Sequence, residues 1–302
     1  MNKKTLIVVI GPTAIGKTAI GIKLAQYFNT EIISADSRQF FKEMAIGTAV
    51  PDQEELSLAT HHCIQHISIH DKYSVGDFEK EALSILKRLY ETEDYAIMVG
   101  GSGLYVDAVC NGLDVFPEVT LEAKVEVNKI YKDQGLQTLT EILKKKDPEY
   151  YKTVALQNPQ RVIRAVEVCL SSGQPFSSFL NNEKGKRPFN IIKIGLTADR
   201  EIIYDRINKR VDLMIENGLI EEVKSIFKYK ELNALNTVGY KELFKYFDKE
   251  WELDFAVSEI KKNTRRFAKR QLTWYRKDGE IQWFDYRCDF SVVVNTIRSL
   301  QK

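Results

Sequence analysis

The chain has 302 residues, 44 Lys/Arg against 42 Asp/Glu, and a formal net charge of +2 at pH 7. Apolar residues make up 44% and charged residues 28%, enough to bury a core, and no apolar run reaches membrane-span length; a disordered polyelectrolyte and a helical membrane protein are excluded. Cys63, Cys110, Cys169 and Cys288 lie far apart with no C-x-x-C pair, which excludes a disulfide scaffold and fits a reduced, cytoplasmic protein.

The opening MNKKTLIVVIG has a basic start and a short apolar run, as a signal peptide does. The run ends in a glycine-rich loop without a small-residue cleavage site, so Thr5–Ile10 is expected to be a buried first strand. A loop over Gly11–Thr18 and a helix over Ala19–Phe28 follow. Thr30–Ala35 predicts a second strand ending in Asp36-Ser37, Phe78–Tyr90 an amphipathic helix, and Tyr95–Val99 a third strand ending in Gly100-Gly101. Between Val115 and Arg187 the strand signal disappears and polar, helical segments take over, closed by the loop NNEKGKRP. Asn190–Thr197 predicts a fourth strand, and helices follow over Glu201–Asn217 and Ser258–Arg276. Strands alternating with helices indicate a parallel α/β sheet with ligands at the carboxyl ends of its strands. The expected division is a core over 1–114, a helical insertion over 115–187, and a return to the core with a basic helical part over 188–302.

Charge is uneven along this chain. Ser258–Lys277 carries eight Lys/Arg against one acid, a local +7, which leaves about −5 for the rest once subtracted from +2. A basic stripe on a near-neutral protein points to a polyanionic partner at one place.

IGPTAIGKTAI fits G-x-x-x-x-G-K-[ST] at Gly11, Gly16, Lys17 and Thr18. It follows a strand and opens a helix, the context in which this motif cradles phosphates. Amides from Thr13 to Thr18 are expected to point at phosphate oxygens, aided by the positive end of the helix. Lys17 would neutralise phosphate charge, and the Thr18 hydroxyl would ligate Mg²⁺. The motif by itself predicts nucleotide binding, ATP included. A nucleoside-triphosphate motor next needs a strand ending in an acid, whereas the third strand ends in Val99-Gly100-Gly101. The nearest acid by topology is Asp36. It serves as a general base, holds Mg²⁺ through water, or caps a turn together with Ser37. The residues alone favour a small-molecule kinase using ATP over a motor.

Further segments narrow the choice. In order, GPTAIGKT, SADSRQFFKEMAIGTAVP, YSVGDF, VGGSGLYVDAVCNGL, NPQRVIRAVEV, IYDRINKRVDLMIENGLIEEV, TVGYKE and TRRFAKRQLTWYR resemble the tRNA dimethylallyltransferase (tRNA isopentenyltransferase) family. The likeness runs from the first strand to about Arg276. It implies an α/β fold, a P-loop NTPase-like parallel sheet core with an all-helical insertion domain and a helical C-terminal part. It also implies transfer of a dimethylallyl group from dimethylallyl diphosphate to the exocyclic amine of the adenosine on the 3′ side of a tRNA anticodon.

The loop Gly11, Pro12, Thr13, Ala14, Ile15, Gly16, Lys17 and Thr18 then holds the diphosphate that leaves, with Mg²⁺ on Thr18. Asp36 corresponds to the family's base and Arg210 to an arginine that reaches the diphosphate from the other side. The plain alternative for Arg210 is a solvated helix charge, and Arg206 stands behind it as the next candidate. The tRNA contacts implied are Asp36, Ser37, Arg38 and Gln39; Ser102 and Gly103; Gln160, Arg161, Val162, Ile163 and Arg164; Gly239, Tyr240 and Lys241; and Lys269, Arg270, Gln271 and Arg276. Trp274 and Tyr275 either stack on bases or pack the terminal helix. The expected partners are an anticodon stem-loop and dimethylallyl diphosphate, for a monomer that engages no membrane. A kinase and an RNA-binding NTP switch remain the other readings.

Three positions depart from the usual family pattern: Ser102 for a threonine, Val50 for a common lysine, and Asn158 for an acid. All four histidines fall within His61–His70. A helix would align His62, His66 and His70 as a zinc site, but CIQHISIH reads as an extended alternating segment, which separates residues 66 and 70 by about 13 Å. Pocket-lining or surface histidines are expected there.

Overall fold

The computed structural model describes residues 4–180 and 186–301. The segment 181–185, part of the expected NNEKGKRP loop, and the first three residues lie outside the described residues. The chain divides into two compact units, Met1–Cys110 with Arg187–Lys302, and Asn111–Lys186.

The first unit is built on six parallel strands in the order β3-β2-β4-β1-β5-β6. They are β1 (Thr5–Ile10), β2 (Ile32–Ser34), β3 (His61–His62), β4 (Tyr95–Val99), β5 (Asn190–Thr197) and β6 (Gln282–Asp285). β1 lies in the middle, pairing Leu6 with Ala96 on one side and with Ile191 on the other. Alternation along β1 feeds two cores. Leu6, Val8 and Ile10 pack with Phe78, Ala82 and Leu86 of α3 (Val75–Thr92). Ile7 and Val9 pack against Ile22 and Leu24 of α1 (Lys17–Phe28), Ile203 and Ile207 of α8 (Arg200–Glu216), and Val293 and Ile297 of α12 (Phe290–Ser299).

Helices flank the strands elsewhere: α2 (Gln53–Leu58), α4 (Gly103–Asn111), α9 (Leu219–Ile226), α10 (Tyr240–Phe247) and α11 (Leu253–Tyr275), with 3₁₀ turns at Phe227–Tyr229 and Asn233–Leu235. A separate helical core forms where Phe41 and Met44 meet Leu219, Val223, Tyr240 and Leu243. The α3 start explains YSVGDF locally: Ser74 accepts from the Asp77 amide at 3.2 Å, and Asp77 accepts from the Ser74 amide at 2.9 Å. Such a reciprocal box satisfies two of the amides a helix start leaves open.

The second unit contains α5 (Leu121–Lys146), interrupted at Gly135, α6 (Pro148–Thr153), α7 (Pro159–Ser172) and a 3₁₀ turn at Phe176–Phe179. No strand occurs among its described residues. Its own core joins Val127, Leu139 and Leu143 of α5 to Val162, Ala165, Val166 and Cys169 of α7. Asn158 caps α7 by accepting from the Arg161 amide at 3.4 Å, with Pro159 at the first turn. Asparagine does there the work an aspartate would do.

Among the described residues no helix is long and apolar enough to cross a membrane. Two short strands, β3 and β6, were not expected: two and four residues are too few for a readable alternation.

Candidate active site

The phosphate loop leaves the carboxyl end of β1 at the sheet's centre. Gly11 has φ 146°, and a Cβ there would stand 2.5 Å from the Leu196 carbonyl oxygen of β5. Only glycine accommodates both the angle and the approach. Ile15 is buried and anchors the loop to the core, and Gly16 at φ 108° turns it into α1 without a side-chain cap. The first amides of α1 are therefore left for a ligand. Thr18 lies on that first turn. Lys17 donates to the Pro12 carbonyl at 2.9 Å. Burial lowers its ammonium pKa to about 8, with Asp36 pushing it up and Arg210 pushing it down. One expectation needs correction: the Thr13 amide does not aim at a ligand but donates to Gln271 Oε1 at 2.9 Å.

Asp36 follows β2. Its Oδ1 accepts from the Arg38 amide at 3.1 Å, so the turn-capping role is real and occupies one carboxylate oxygen. The neighbouring side chains are tied inward. Ser102 Oγ accepts from the Ser37 amide at 3.0 Å and meets Ser37 Oγ at 3.1 Å. Arg38 donates to the Ala234 carbonyl at 2.8 Å. Gln39 accepts from Ser34 Oγ at 3.0 Å and donates to the Ala49 carbonyl at 2.8 Å.

Two cavities open here. The first, about 990 Å³, is lined by the phosphate loop, Thr18, residues 45–56 in part, Arg206 and Arg210. The second, about 620 Å³, is lined by Ser37, Arg38, residues 101–104, residues 236–239, Phe267, Arg270 and Trp274. Thr13, Asp36, Thr48, Arg210 and Met214 line both. The two spaces thus meet at one carboxylate and one guanidinium. Burial lowers the Arg210 pKa while Asp36 and Glu55 push it back up; an arginine stays charged regardless. Arg206 sits differently, donating from Nε to the Ala14 carbonyl at 2.7 Å and lying 5.0 Å over the Tyr286 ring. It braces the loop, and Arg210 faces the space where the cavities join.

The family model described as IPP transferase matches residues 39–278. The chain belongs to the IPP transferase family. It is 64% identical over 281 residues to the tRNA dimethylallyltransferase of Christiangramia forsetii, covering 93% of each chain. It is 56% identical over 300 residues to that of Flavobacterium johnsoniae, covering 97% of each. The fold is similar to a tRNA isopentenylpyrophosphate transferase from Bacillus halodurans, with TM-score 0.72 and 35% identity over 99% of this chain and 95% of that one. A eukaryotic dimethylallyltransferase acting on tRNA gives TM-score 0.82 and 25% identity over 98% of this chain and 78% of that one. The fold is P-loop NTPase-like, and the chain is a transferase of the IPP transferase family; the comparisons do not favour the kinase alternative.

Within this IPP transferase the expected tRNA contacts divide by exposure. Lys241, Lys269, Arg270 and Arg276 are exposed, as are Gln160, Arg161 and Arg164 in the helical unit; Ile163 is half-buried. Gly103 lies against the Trp274 ring, and Gly239 at φ 96° starts α10. Val162 and Tyr240 are corrections. Both are fully buried, so their side chains pack and position neighbours and do not reach a surface ligand. Gln271 is 5% exposed, yet it lines the second cavity beside Arg270 and Trp274. Of the open pair, Tyr275 is core, whereas Trp274 is 40% exposed and donates to Asp107 Oδ2 at 2.9 Å.

Part of the basic stripe is spent internally. Lys261 pairs with Asp212 at 2.5 Å, Lys262 with Glu259 at 2.7 Å, and Arg265 donates to Asn208 at 2.7 Å. The histidine segment is not helical. His62 meets Glu31 at 2.6 Å, His70 stands edge-on to Tyr229, and no group of three metal-binding side chains occurs among the described residues.

Glu222 was missed by sequence reasoning. It accepts from the amides of Ala45, Ile46 and Gly47 at 2.7–2.9 Å and from Tyr240 Oη at 2.6 Å. The only signal was its place in the quoted GLIEEV segment.

Proposed function

We infer that this chain transfers a dimethylallyl group from dimethylallyl diphosphate to the exocyclic amine of the adenosine 3′-adjacent to the anticodon in tRNA. The observation that carries the reading is the pair of cavities meeting at Asp36 and Arg210. A diphosphate in the first cavity and an extruded base in the second would bring the allylic carbon and the amine together beside one carboxylate. Extrusion of a stacked base costs a few kcal/mol, which the basic and aromatic wall of the second cavity would offset.

The amine nitrogen bonds to the allylic carbon as the carbon–oxygen bond to diphosphate breaks. Asp36 takes the amine proton. Lys17, Arg210 and the open amides of α1 stabilise the charge that grows on the leaving group. The donor chemistry suits Mg²⁺: one hydroxyl, Thr18, with phosphate oxygens completing the shell, since this ion is often held by few protein ligands plus phosphate. Bound there, Mg²⁺ would add Lewis-acid stabilisation of the departing diphosphate. A cytoplasmic monomer is the setting we assign.

The test is incubation of purified protein with dimethylallyl diphosphate, Mg²⁺ and an anticodon stem-loop carrying the adenosine. Expected are one prenyl group added to the RNA and one diphosphate released per event. No modified base and no diphosphate, alongside ATP-dependent phosphorylation of a metabolite, would overturn the reading.

A further inference from the structure

Gln271 comes from α11, the helix that carries the basic stripe, yet its side chain turns away from solvent. Oε1 accepts from the Thr13 amide of the phosphate loop at 2.9 Å, and Nε2 donates to the Gly101 carbonyl after β4 at 2.9 Å. Only one orientation of the amide serves both partners, because an N–H can only donate and a carbonyl can only accept. Space is made for it: a Cβ on Gly101 would lie 2.3 Å from Gln271 Nε2. Thr13 lines both cavities, while Phe267, Arg270 and Trp274, on the same helix as Gln271, line the second. One buried side chain therefore joins the wall of the second cavity to the loop that forms the first.

We propose that Gln271 is a positioning residue that couples the two substrate sites: RNA seated against α11 sets the phosphate loop for the diphosphate through the Gln271–Thr13 bond. The proposal rests on the reading that α11 faces tRNA. By linkage the coupling is reciprocal, so it is measurable as the factor by which stem-loop changes the affinity for diphosphate.

The probe is inorganic diphosphate, titrated calorimetrically into the full-length protein with and without a saturating anticodon stem-loop. The wild type is expected to gain affinity by about fivefold or more when the stem-loop is bound, the lower end of usual coupling factors. Gln271→Met keeps an unbranched side chain of similar volume but neither hydrogen bond; its factor should fall to about one, measured with the stem-loop saturating the variant at its own affinity. Gln271→Glu supplies a second readout. A neutral carboxyl offers one O–H donor and one acceptor, as the amide does, whereas the carboxylate cannot donate to Gly101. Coupling in this variant should therefore return as pH falls from 8 to about 5.5, relative to wild type at each pH. A merely structural glutamine would lower melting temperature without this pH-dependent recovery.

Absence of coupling in the wild type, or an unchanged factor in both variants, overturns the proposal. If Gln271→Met does not fold, the pH series on Gln271→Glu decides. Failure of the functional reading looks different: the wild type then binds no stem-loop at all.

Discussion

Lys17 reports on the phosphate site through its own titration. Burial lowers its pKa to about 8; Asp36 raises it and Arg210 lowers it further. The charged form is the one that attracts a diphosphate, so affinity is highest below this value and is lost as pH rises through it. With a midpoint of about 8, roughly nine-tenths of Lys17 is charged at pH 7 and one-tenth at pH 9, a fall of about tenfold in affinity. A phosphate ester completes its last ionisation near pH 6, so the ligand's charge is constant over that range. Asp36→Asn removes the one group that raises the Lys17 pKa, and the midpoint should move below 8. Absolute affinity is a poor diagnostic for that variant, because losing a carboxylate also relieves repulsion of the anion; the midpoint is not confounded. The assay is calorimetric titration of an unreactive dimethylallyl diphosphate analogue from pH 6.5 to 9.5 at fixed ionic strength. Affinity that is flat from pH 7 to 9, or an Asp36→Asn midpoint at or above the wild type's, refutes the reasoning. The same variant should lose about 10²–10⁴-fold in transfer rate while keeping stem-loop affinity, as removal of a general base does.

Glu222→Gln replaces a carboxylate that accepts from three amides and a tyrosine, turning one acceptor atom into a donor facing donors. A loss of about 3 kcal/mol is expected, read as a melting temperature lower by about 6–12 °C; a shift under about 2 °C speaks against the latch. Because Ala45, Ile46 and Thr48 line the first cavity, KM for the diphosphate should rise as well. Lys269→Ala removes an exposed charge and should reduce the salt slope of stem-loop binding by about one. Lys261→Ala, whose parent lysine is paired with Asp212, should leave that slope unchanged, and equal effects of the two variants would deny α11 an outward-facing grip.

Local chemistry was legible in the sequence. The spacing of Gly11, Gly16, Lys17 and Thr18, the apolar run of β1 and the polar helical stretch after Val115 are each written within a few residues, because they depend on backbone geometry and burial period. Which side chain serves a ligand and which serves the fold was not. Gln271 and Thr13 are 258 positions apart, and Glu222 meets its loop across 175 to 177. Arg206 and Arg210 share one helix and one charge, and only the packing of α8 sends the first to the Ala14 carbonyl and the second to the join of the cavities. The sequence by itself determined the cradle, the order of elements and the residue types available to the chemistry. The tertiary structure alone decided their division of labour, because a buried polar group takes whatever partner the packing of distant elements brings within hydrogen-bond reach.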